Sequence, residues 1–407
     1  MTNPSFLTLG VAEPLRRALA ADNYLQPTPI QTAAIPLVLA GRDVVGIAQT
    51  GTGKTAAFGL PLLQRLADER VQAGPQSARA LILAPTRELA IQIHDSLRSY
   101  GRHLSLRHAV IVGGVTQSRQ VEALRRGVDV LVATPGRLLD LVAQKHIRLG
   151  ATTTLVIDEA DRMFDMGFIR DVRRIVALLP RARQSMLFSA TMPNEVAHLV
   201  AEILRQPARI DISPQAVAAD NIDQRVYFVE TKDKRALLHD LLRDRALSRV
   251  IVFTRTKHGA NKVADHLDRA GHGAEAIHGN KSQNARQRAL DSFRSGRARI
   301  LVATDIAARG IDIDDVSHVI NYELPDVAES YVHRIGRTAR AGSGGIAIAF
   351  CDPAERASLR DIERLVKRPL TVIGNRPREA EVKHSPREQT HAPRRKNRPP
   401  QRARRAA

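Results

Sequence analysis

Cysteine and aromatic residues are scarce in this sequence, and tryptophan is absent. The 407 residues include one cysteine, Cys351, so no internal disulfide can form, which fits a reducing cytoplasm. Aromatic residues make up 3% of the chain, which argues against platforms of aromatic rings on which bases stack. The 14 histidines show no spacing with cysteine that is typical of a zinc site, so we expect no structural metal.

Long apolar runs are also missing. No window approaches the about 18 uninterrupted apolar residues that a membrane span needs. The first ten residues, "MTNPSFLTLG", lack the basic and apolar regions of a signal peptide. We therefore expect a cytoplasmic protein without a membrane segment.

The charge of the sequence is strongly unbalanced. Lysine and arginine number 62 against 42 acidic residues, which gives a net charge of +20. Such an excess indicates a polyanionic partner. Nucleic acid is the leading candidate, and the alternatives are an anionic membrane surface or a basic surface without a partner. Because aromatic residues are few, a nucleic acid would be held through its phosphates.

Short runs rich in valine and isoleucine recur along the chain and alternate with helix-like stretches. Such runs suit parallel strands that helices cover on both faces, and their alternation with helices predicts repeated βαβ units. The first series comprises 43–48, 80–85, 129–135, 154–159 and 185–191, and the second comprises 249–254, 298–305, 318–322 and 345–350. The sequence therefore predicts an α/β protein with two domains, each a parallel sheet flanked by helices.

The two series also predict the domain boundaries. Residues 1–208 form the first domain and 224–373 the second, while 209–223, with a proline and no strong periodicity, links them. Beyond this the pattern gives way to a proline-rich segment, in which 375–407 carries 11 Lys or Arg against 3 acids. Such a composition cannot bury a core, so we expect 374–407 to be a basic, disordered tail.

A glycine-rich stretch, "AQTGTGKT", follows the first strand and precedes a helical segment. Its glycines let the backbone wrap around phosphates, Lys54 can reach the β and γ phosphates, and Thr55 can ligate Mg²⁺. The usual pattern begins with glycine, whereas this stretch begins with alanine, which still permits a tight turn. The nucleotide-binding residues predicted here are Ala48, Gln49, Thr50, Gly51, Thr52, Gly53, Lys54 and Thr55. We therefore expect a nucleoside triphosphate and Mg²⁺.

Three acids crowd the end of the strand-like run at 154–157. Asp158, Glu159 and Asp161 would repel one another and cost desolvation energy in that position. In phosphate-loop enzymes a carboxylate at the end of a neighbouring strand holds Mg²⁺, and Asp158 suits that role together with Thr55. Glu159 could orient and deprotonate the attacking water. The alternative is a solvated helix N-terminus, where the helix dipole favours acids.

Eight short motifs resemble, in kind and order, those of the DEAD-box RNA helicases. They are "AQTGTGKT" (48–55), "PTREL" (85–89), "TPGR" (134–137), "DEAD" (158–161), "SAT" (189–191), "VFTRT" (252–256), "ATDIAARGIDI" (303–313) and "HRIGRTAR" (333–340). The resemblance covers roughly residues 6–372, and it implies two tandem RecA-like domains that bind ATP, Mg²⁺ and RNA. The short N-terminus and the basic tail are most similar to the bacterial RhlE-like subgroup.

The stretch "NYLQPTPIQ" (23–31) resembles the adenine-recognising segment of that family. The resemblance implies that Gln31 reads the adenine edge, that Tyr24 stacks on the ring and that Phe6 supports Tyr24. Two ordinary core aromatics would be the alternative reading of Tyr24 and Phe6. The family usually has glycine where this chain has Asn23, but asparagine tolerates a left-handed backbone.

In the second domain, the resemblance implies that Arg337 and Arg340 act as arginine fingers on the γ-phosphate, for which a rigid, permanently charged fork is suited. Asp312 would contact the ribose. The family usually has glycine at Ala339, and since a positive φ would cost alanine about 1 kcal/mol, we expect a helical backbone there. Coupling between nucleotide and RNA would run through a separate set, in which Ser189 and Thr191 hydrogen-bond Asp161. The coupling residues are Asp161, Ser189, Thr191 and His333.

The resemblance also implies a set of RNA contacts made of hydroxyls, arginines and glycines. Such groups grip phosphates and 2′-hydroxyls without reading bases. In the first domain they are Pro85, Thr86, Arg87, Gly113, Gly114, Thr134 and Arg137. In the second domain they are Arg255, Gly279, Thr304 and Arg309.

The function implied is that of an ATP-dependent RNA helicase, an RNA-dependent ATPase that closes its domains and locally unwinds duplexes or remodels RNA–protein complexes. Two alternatives stay open. One is an ATP-gated RNA clamp or scaffold with little unwinding, and the other is a DNA helicase of the same superfamily, against which the DEAD tetrad and Gln31 argue. Ribosomal or RNA-decay complexes are candidate partners, and no residue chooses between them.

Overall fold

The computed structural model describes residues 4–49, 51–69, 71–212, 222–308, 316–339 and 344–374. Four residues named above lie outside these ranges. They are Thr50, Arg309, Asp312 and Arg340. The tail predicted from residue 374 onward is outside them as well, except for its first residue.

The first domain, as far as the structure describes it, is a seven-stranded parallel sheet with helices on both faces. Its strands are β1 (Val44–Ile47), β2 (Ala78–Leu83), β3 (His108–Ile111), β4 (Val128–Ala133), β5 (Thr154–Ile157), β6 (Gln184–Ser189) and β7 (Ala208–Asp211). Its helices are α1 (Glu13–Ala21), α2 (Pro29–Leu39), α3 (Lys54–Asp68), α4 (Arg87–Tyr100), α5 (Gln117–Leu124), α6 (Pro135–Ala143), α7 (Ala160–Asp165), α8 (Ile169–Val176) and α9 (Asn194–Ile203). The strand order is β3-β4-β2-β5-β6-β1-β7.

The strands of this sheet read as continuous apolar runs because both faces are covered. Every residue of β1, β2, β4, β5 and β6 is buried. One core packs around Phe58 and Phe188, whose ring centroids lie 5.3 Å apart, and the other includes Leu81 and Met163 on the opposite face. The α/β architecture predicted from the sequence is confirmed.

The second domain repeats the plan within the described ranges. Its strands are β8 (Ile222–Phe228), β9 (Val250–Thr254), β10 (Ala274–Ile277), β11 (Ile300–Thr304), β12 (His318–Asn321), β13 (Gly345–Cys351) and β14 (Thr371–Val372). Its helices are α10 (Lys234–Leu242), α11 (Lys257–Arg269), α12 (Gln283–Arg294), α13 (Asp305–Ala308), α14 (Ala328–Ile335) and α15 (Arg356–Val366), with a 3₁₀ turn at Pro353–Glu355. The strand order is β10-β11-β9-β12-β13-β8-β14, and neighbouring strands are parallel.

Several helices begin at a hydroxyl residue that follows a strand. The Thr86 hydroxyl accepts from the Leu89 backbone N–H at 3.3 Å, and the Thr256 hydroxyl accepts from Gly259 at 3.0 Å. Such caps satisfy donors that the first helical turn leaves unpaired, and they fix the point where each chain segment turns from strand to helix.

In the described part of the chain, no helix combines the length and the apolar character that crossing a bilayer requires.

The connection between the domains is shorter than the sequence predicted. The predicted linker, 209–223, starts inside β7 and ends inside β8. Residues 209–211 pair with β1, because their backbone groups complete the edge of the first sheet. Residues 213–221 lie outside the described residues. β7 is an edge strand of four residues with one exposed side. Four residues are too few for an alternating pattern to be recognised, so the sequence showed no strong periodicity at 209–211.

Candidate active site

The candidate active site forms where three strands of the first sheet end. β6 lies between β1 and β5, so the segments that follow these parallel strands leave the same edge of the sheet side by side. The glycine-rich stretch follows β1, the three acids follow β5, and Ser189 ends β6. Motifs that are separated by more than a hundred positions in sequence therefore meet in one cluster.

The glycine-rich stretch forms a loop that leads into α3. Gly51 and Gly53 have φ of 85° and 92°, in the left-handed region that favours glycine. A Cβ added to Gly53 would lie 2.2 Å from Nε2 of Gln31, so this position also needs glycine for space. The Lys54 ammonium is buried and donates to the Ala48 carbonyl at 2.9 Å. Within the loop, Thr52 Oγ1 donates to the Gln49 carbonyl at 2.7 Å.

Gln31 joins the upstream segment to this loop. Its side chain is fully buried, with Oε1 accepting from the Thr28 backbone N–H at 3.0 Å. Nε2 donates to the Gly53 carbonyl at 2.9 Å and to the Tyr24 hydroxyl. The residue expected to read adenine therefore lies at the phosphate loop and is hydrogen-bonded on both ends of its amide.

Phe6 and Tyr24 pack against each other beside Gln31. Their ring centroids are 5.7 Å apart with an interplanar angle of 57°, and Phe6 is buried while Tyr24 is partly exposed. Burial raises the pKa of the Tyr24 hydroxyl, which keeps it protonated. Asn23 has a φ of 54°, so the asparagine adopts the left-handed backbone that the sequence allowed for it.

Asp158 is buried at the end of β5 among other acids. Burial raises the pKa of its carboxyl to about 6; Lys54 acts in the opposite direction, and the charges of Glu159 and Asp161 add to the rise. The Glu159 backbone N–H donates to Asp158 Oδ1 at 2.9 Å. Lys54 and this N–H group do not offset the effects of burial and of the neighbouring acids, so the negative charge of Asp158 is only partly neutralised. A bound cation would be favoured at such a position.

Glu159 is held by a residue that the sequence reasoning missed. Burial alone would raise the pKa of Glu159, but the charges of Arg162, Lys54 and Arg337 outweigh burial and lower it. The Arg162 Nη1 group pairs with Glu159 Oε2, and both side chains are buried. The backbone of Glu159 is left-handed, with φ 53° and ψ 54°, an arrangement that costs a non-glycine residue about 1–3 kcal/mol and is common at functional sites. The three-residue spacing of Glu159 and Arg162 was the available signal.

Asp161 connects the acids to the end of β6. Its Oδ2 accepts from Thr191 Oγ1 at 3.0 Å and from the backbone N–H groups of Thr191 and Ala190 at 2.9 and 3.2 Å. Ser189 Oγ instead accepts from the Asp161 backbone N–H at 3.1 Å. The expected hydrogen bonds are present, with the serine bound to the main chain rather than to the carboxylate.

The second domain reaches this cluster through Arg337. Its side chain is buried and lies close enough to lower the pKa of Glu159. Arg337 follows α14, where its Nε donates to the His333 carbonyl at 3.4 Å. The charge of Arg337 therefore acts on an acid of the first domain, whereas Arg340 and Asp312 lie outside the described residues.

The expectation of a helical backbone at Ala339 is wrong. Ala339 has a φ of 55°, which places it in the left-handed region. Neighbouring residues fix this turn on both sides. The Thr338 hydroxyl donates to the Val316 carbonyl. Gly345 packs so closely against the turn that a Cβ added to it would lie 2.7 Å from the Ala339 nitrogen. Surrounding contacts therefore override the local preference of alanine.

A second contact between the domains was not foreseen. Glu88, in the first turn of α4, receives a hydrogen bond from Gln283 Nε2 at 3.1 Å and an ion pair from Arg286 at 3.0 Å. Gln283 Oε1 also accepts from Arg87 at 3.5 Å. Gln283 and Arg286 lie three positions apart at the start of α12, and nothing in their sequence surroundings distinguishes them from a solvated helix end.

The expected RNA contacts of the first domain lie at the C-terminal edge of the same sheet. Pro85 and Thr86 follow β2, and Thr134 follows β4. The Arg87 guanidinium covers the two glycines after β3: a Cβ added to Gly114 would lie 2.0 Å from Arg87 Nη1, and one added to Gly113 would lie 3.3 Å from Nη2. Arg137 Nη1 donates to Gln117 Oε1 at 3.1 Å.

The expected RNA contacts of the second domain occupy the matching edge of its sheet. Arg255 follows β9, Gly279 lies two residues beyond β10, and Thr304 ends β11. Arg309 lies outside the described residues. Arg255 is bound to acidic residues, with its backbone N–H donating to Glu323 Oε2 at 2.6 Å. The two sets thus lie at the ends of parallel strands, where binding sites of open α/β sheets form.

Fold and site together define a nucleotide hydrolase built from two tandem RecA-like domains. Two family models match the chain: DEAD/DEAH box helicase over residues 28–199, and helicase conserved C-terminal domain over residues 233–342. Together these matches cover more than half of the chain.

Individual relatives agree with the family models. The chain is 42% identical over 366 residues to the DEAD-box ATP-dependent RNA helicase CshA of Bacillus cereus, covering 90% of this chain and 69% of that protein. It is 44% identical over 377 residues to the ATP-dependent RNA helicase RhlB of Xanthomonas oryzae pv. oryzae, covering 91% and 66%. The structure of S. cerevisiae Dbp5 bound to RNA and ADP BeF3 matches with a TM-score of 0.81 at 34% identity, covering 91% of this chain and 95% of that one. The chain belongs to the DEAD-box family of ATP-dependent RNA helicases.

Proposed function

We propose that this chain hydrolyses ATP in the cleft between its two domains and uses the cycle to unwind RNA duplexes locally or to remodel RNA–protein complexes. The buried contact of Glu88 with Gln283 and Arg286 supports this best, because it joins the two domains, and the charge of Arg337 from the second domain also acts on Glu159. A cleft that both domains complete makes closure a condition of hydrolysis.

ATP would be held mainly by the first domain. Gln31, with Tyr24 and Phe6 beside it, is proposed to recognise the adenine edge, and Asp312 is proposed for the ribose. The backbone of the loop 48–55 would cradle the phosphates. Lys54, whose ammonium is already buried beside the Asp158 and Glu159 carboxylates, supplies a positive charge there.

The residues present fit Mg²⁺. The buried Asp158 carboxyl has two acidic neighbours that raise its pKa, and Thr55 is the second residue of α3, which follows β1 at the same edge of the sheet. Oxygen ligands of this kind are those that Mg²⁺ takes in nucleotide sites. Asp158 and Thr55 would hold the ion, which, when bound, neutralises negative charge on the phosphates.

Glu159 is proposed as the general base that orients and deprotonates water. A base must be ionised, and the charges of Arg162, Lys54 and Arg337 keep its pKa low. Arg337, with Arg340, would stabilise charge that develops on the transferred phosphate, an effect that can be worth about 10³–10⁵ in rate. Asp161, Ser189, Thr191 and His333 would couple this chemistry to RNA.

RNA would lie across the C-terminal edges of both sheets. The proposed contacts are Pro85, Thr86, Arg87, Gly113, Gly114, Thr134, Arg137, Arg255, Gly279, Thr304 and Arg309. These groups offer hydroxyls, guanidinium forks and close backbone approach, which suit phosphates and 2′-hydroxyls rather than base edges. Binding should therefore depend little on sequence and strongly on salt.

Several finer assignments form part of the proposal. The predicted limits of 1–208 and 224–373 become 1–211 and 222–373, so that β7 (Ala208–Asp211) ends the first domain and β8 (Ile222–Phe228) begins the second, with a basic tail from 374. The basic tail suits a bacterial RhlE-like helicase, and the single cysteine suits a cytoplasmic protein. Ribosomal and RNA-decay complexes are proposed as candidate partners, between which no residue chooses.

ATP turnover measured with and without RNA tests the coupling. We expect strong stimulation by single-stranded or duplex RNA and little by DNA of the same length. Equal turnover in both conditions would contradict the coupling, and stimulation by DNA alone would indicate a DNA helicase.

A strand-displacement assay separates unwinding from clamping. With the protein well below the duplex concentration, a helicase displaces many strands per molecule. An ATP-gated clamp or scaffold would show RNA-stimulated turnover but no displacement beyond its own concentration.

A further inference from the structure

A pocket of about 270 Å³ lies at the C-terminal edge of the second sheet. Its lining residues are Arg255, Thr304, Asp305, Pro325, Asp326, Val327 and Ser330. Two of them, Arg255 and Thr304, are proposed RNA contacts. Asp305 is engaged elsewhere, since its carboxylate binds the Arg334 guanidinium at 2.6 and 2.8 Å. The pocket thus joins one cation, Arg255, and the hydroxyl residues Thr304 and Ser330 to an exposed carboxylate, that of Asp326.

Glu355 pairs with the guanidinium of Arg255, the cation of this pocket. Its side chain is 3% exposed, and Oε1 pairs with Arg255 Nη2 while accepting from the Leu324 backbone N–H at 3.0 Å. The same oxygen therefore fixes both the guanidinium and Leu324, the residue before the segment 325–327 that forms one wall. Glu355 lies on the 3₁₀ turn that follows β13.

Glu355 is itself fixed by a buried lysine. Lys234, whose side chain is 1% exposed, lies 2.5 Å from Glu355 Oε2 and 3.1 Å from Asp352. The Asp352 backbone N–H donates to Glu355 Oε2 at 3.2 Å, and Glu355 returns a backbone N–H to Asp352 Oδ1 at 3.2 Å. A carboxylate with so many partners in a buried position cannot be displaced without leaving unpaired charge.

Asp326 pairs with the other edge of the Arg255 guanidinium, but its side chain is exposed, whereas that of Glu355 is buried. Its Oδ1 lies 3.4 Å from Arg255 Nη1, and its side chain is 79% exposed. Exposed pairs of this kind contribute little, about 0–1 kcal/mol, so an incoming anion can replace the Asp326 carboxylate. Arg255 therefore has one edge fixed permanently by Glu355 and one edge covered by a replaceable carboxylate.

We propose that this pocket receives one RNA phosphate on the Nη1 edge of Arg255, that Glu355 is the positioning residue for that edge, and that Asp326 competes with the phosphate and so limits RNA affinity. The inference rests on the proposed RNA contact of Arg255. It adds an acidic residue that opposes binding, which composition and charge alone would not suggest in a chain with an excess of basic residues.

The Asp326→Asn variant tests the competition. We expect its RNA dissociation constant, measured at low salt with a non-hydrolysable ATP analogue, to fall about two- to fivefold, as expected when an exposed pair is removed. Asp240→Asn is the matched control, because Asp240 is also exposed and paired with an arginine, on α10 near the opposite edge of the sheet. It makes the same change in net charge and should leave RNA affinity nearly unaltered.

Glu355→Gln tests the positioning role. The half-saturating RNA concentration for ATP turnover should rise about tenfold or more, as expected when a buried charged partner is lost, with the maximal rate reached at higher RNA. In an Arg255→Gln background the same substitution should have no further effect on RNA dependence. A merely structural role would give additive losses in that double-mutant cycle.

If Glu355→Gln does not fold, the pair Arg255→Gln and Asp326→Asn carries the test, since Asp326→Asn should lose its effect once Arg255 is absent. Unaltered or weaker RNA binding by Asp326→Asn, in a chain whose turnover RNA stimulates, would overturn this inference and leave the proposed function standing. A parent chain without RNA stimulation would instead overturn the proposed function, and this inference with it.

Discussion

The carboxylate of Glu88 lies 3.0 Å from the guanidinium of Arg286, although Glu88 belongs to the first domain and Arg286 to the second. The side chains are 2% and 12% exposed. Removing one partner of a buried pair leaves an uncompensated charge and costs about 3–5 kcal/mol. Since opening the cleft would return both groups to water, this cost falls on the closed arrangement alone.

Glu88→Gln should therefore disfavour closure. We expect RNA-stimulated ATP turnover to fall at least about tenfold, because a loss of a few kcal/mol acts on the closed state only, while ATP binding without RNA is retained. The measurements are RNA-stimulated turnover and the distance between labels on the two domains. Glu122→Gln, which removes an exposed pair with Arg125, is the control with equal charge. Normal turnover in Glu88→Gln would show that the pair does not support catalysis.

Glu159→Gln should separate binding from hydrolysis. The amide cannot take a proton from water, so single-turnover hydrolysis should fall about 10²–10⁴-fold, while ATP and RNA remain bound in a closed complex. Binding of both ligands is followed by fluorescence anisotropy on labelled RNA. Glu202→Gln, at an exposed pair with Arg173, should hydrolyse normally, and a normal rate in Glu159→Gln would exclude Glu159 as the base.

Ala339→Gly should stabilise the protein. The observed φ of 55° costs alanine about 1 kcal/mol that glycine does not incur, although part of that gain is lost to the greater freedom of glycine in the unfolded chain. The midpoint of urea unfolding should therefore rise. Ala357→Gly, at an exposed position in α15, should lower it, because glycine disfavours helix. Lower stability in both variants would contradict the strain assigned to Ala339.

His108 should make the protein less stable in acid. Burial, assisted by the nearby His94, lowers the pKa of its imidazole from 6.5 to about 4. The unfolded chain therefore binds more protons between those values, and stability falls as pH decreases through this window. His108→Gln should remove on the order of 2 kcal/mol of that loss. Unfolding measured at pH 4.5 and 7 tests this, with exposed His103→Gln as the control, and an unchanged difference between the two pH values would refute it.

The sequence was sufficient for the parallel sheets and for the nucleotide cluster. Buried strands read as apolar runs because helices cover both faces, and the segments 48–55 and 158–161 follow strands that meet at one edge. Local chemistry thus predicted Lys54 and Asp158, and the family resemblance predicted the hydrogen bonds from Thr191 to Asp161. Each of these depends on residues within one strand–turn unit or on adjacent parallel strands.

What the sequence did not reveal depends on contacts between distant parts of the chain. Gln283 and Arg286 are ordinary at the start of a helix until Glu88 comes opposite them. The backbone of Ala339 is set by packing at Val316 and Gly345, not by alanine. The short edge strand β7 carried too few residues for a recognisable period. Pairing across 100 or more positions is invisible to a local pattern.

The buried amide of Gln31 bears on the base recognition proposed for it. Its oxygen and nitrogen are already bonded, to the Thr28 backbone and to the Gly53 carbonyl. Since both Nε2 hydrogens are taken, by the Gly53 carbonyl and the Tyr24 hydroxyl, a base that accepts from Gln31 has to replace one of those bonds. A base without a suitable acceptor leaves buried groups unpaired at about 1–3 kcal/mol each. Base selection would then act as a penalty on wrong nucleotides rather than as added attraction for the right one. Because Gly53 belongs to the phosphate loop, a mismatched base would also disturb the contacts between that loop and the phosphates. The mismatched nucleotide would therefore dissociate faster than its phosphate contacts alone predict.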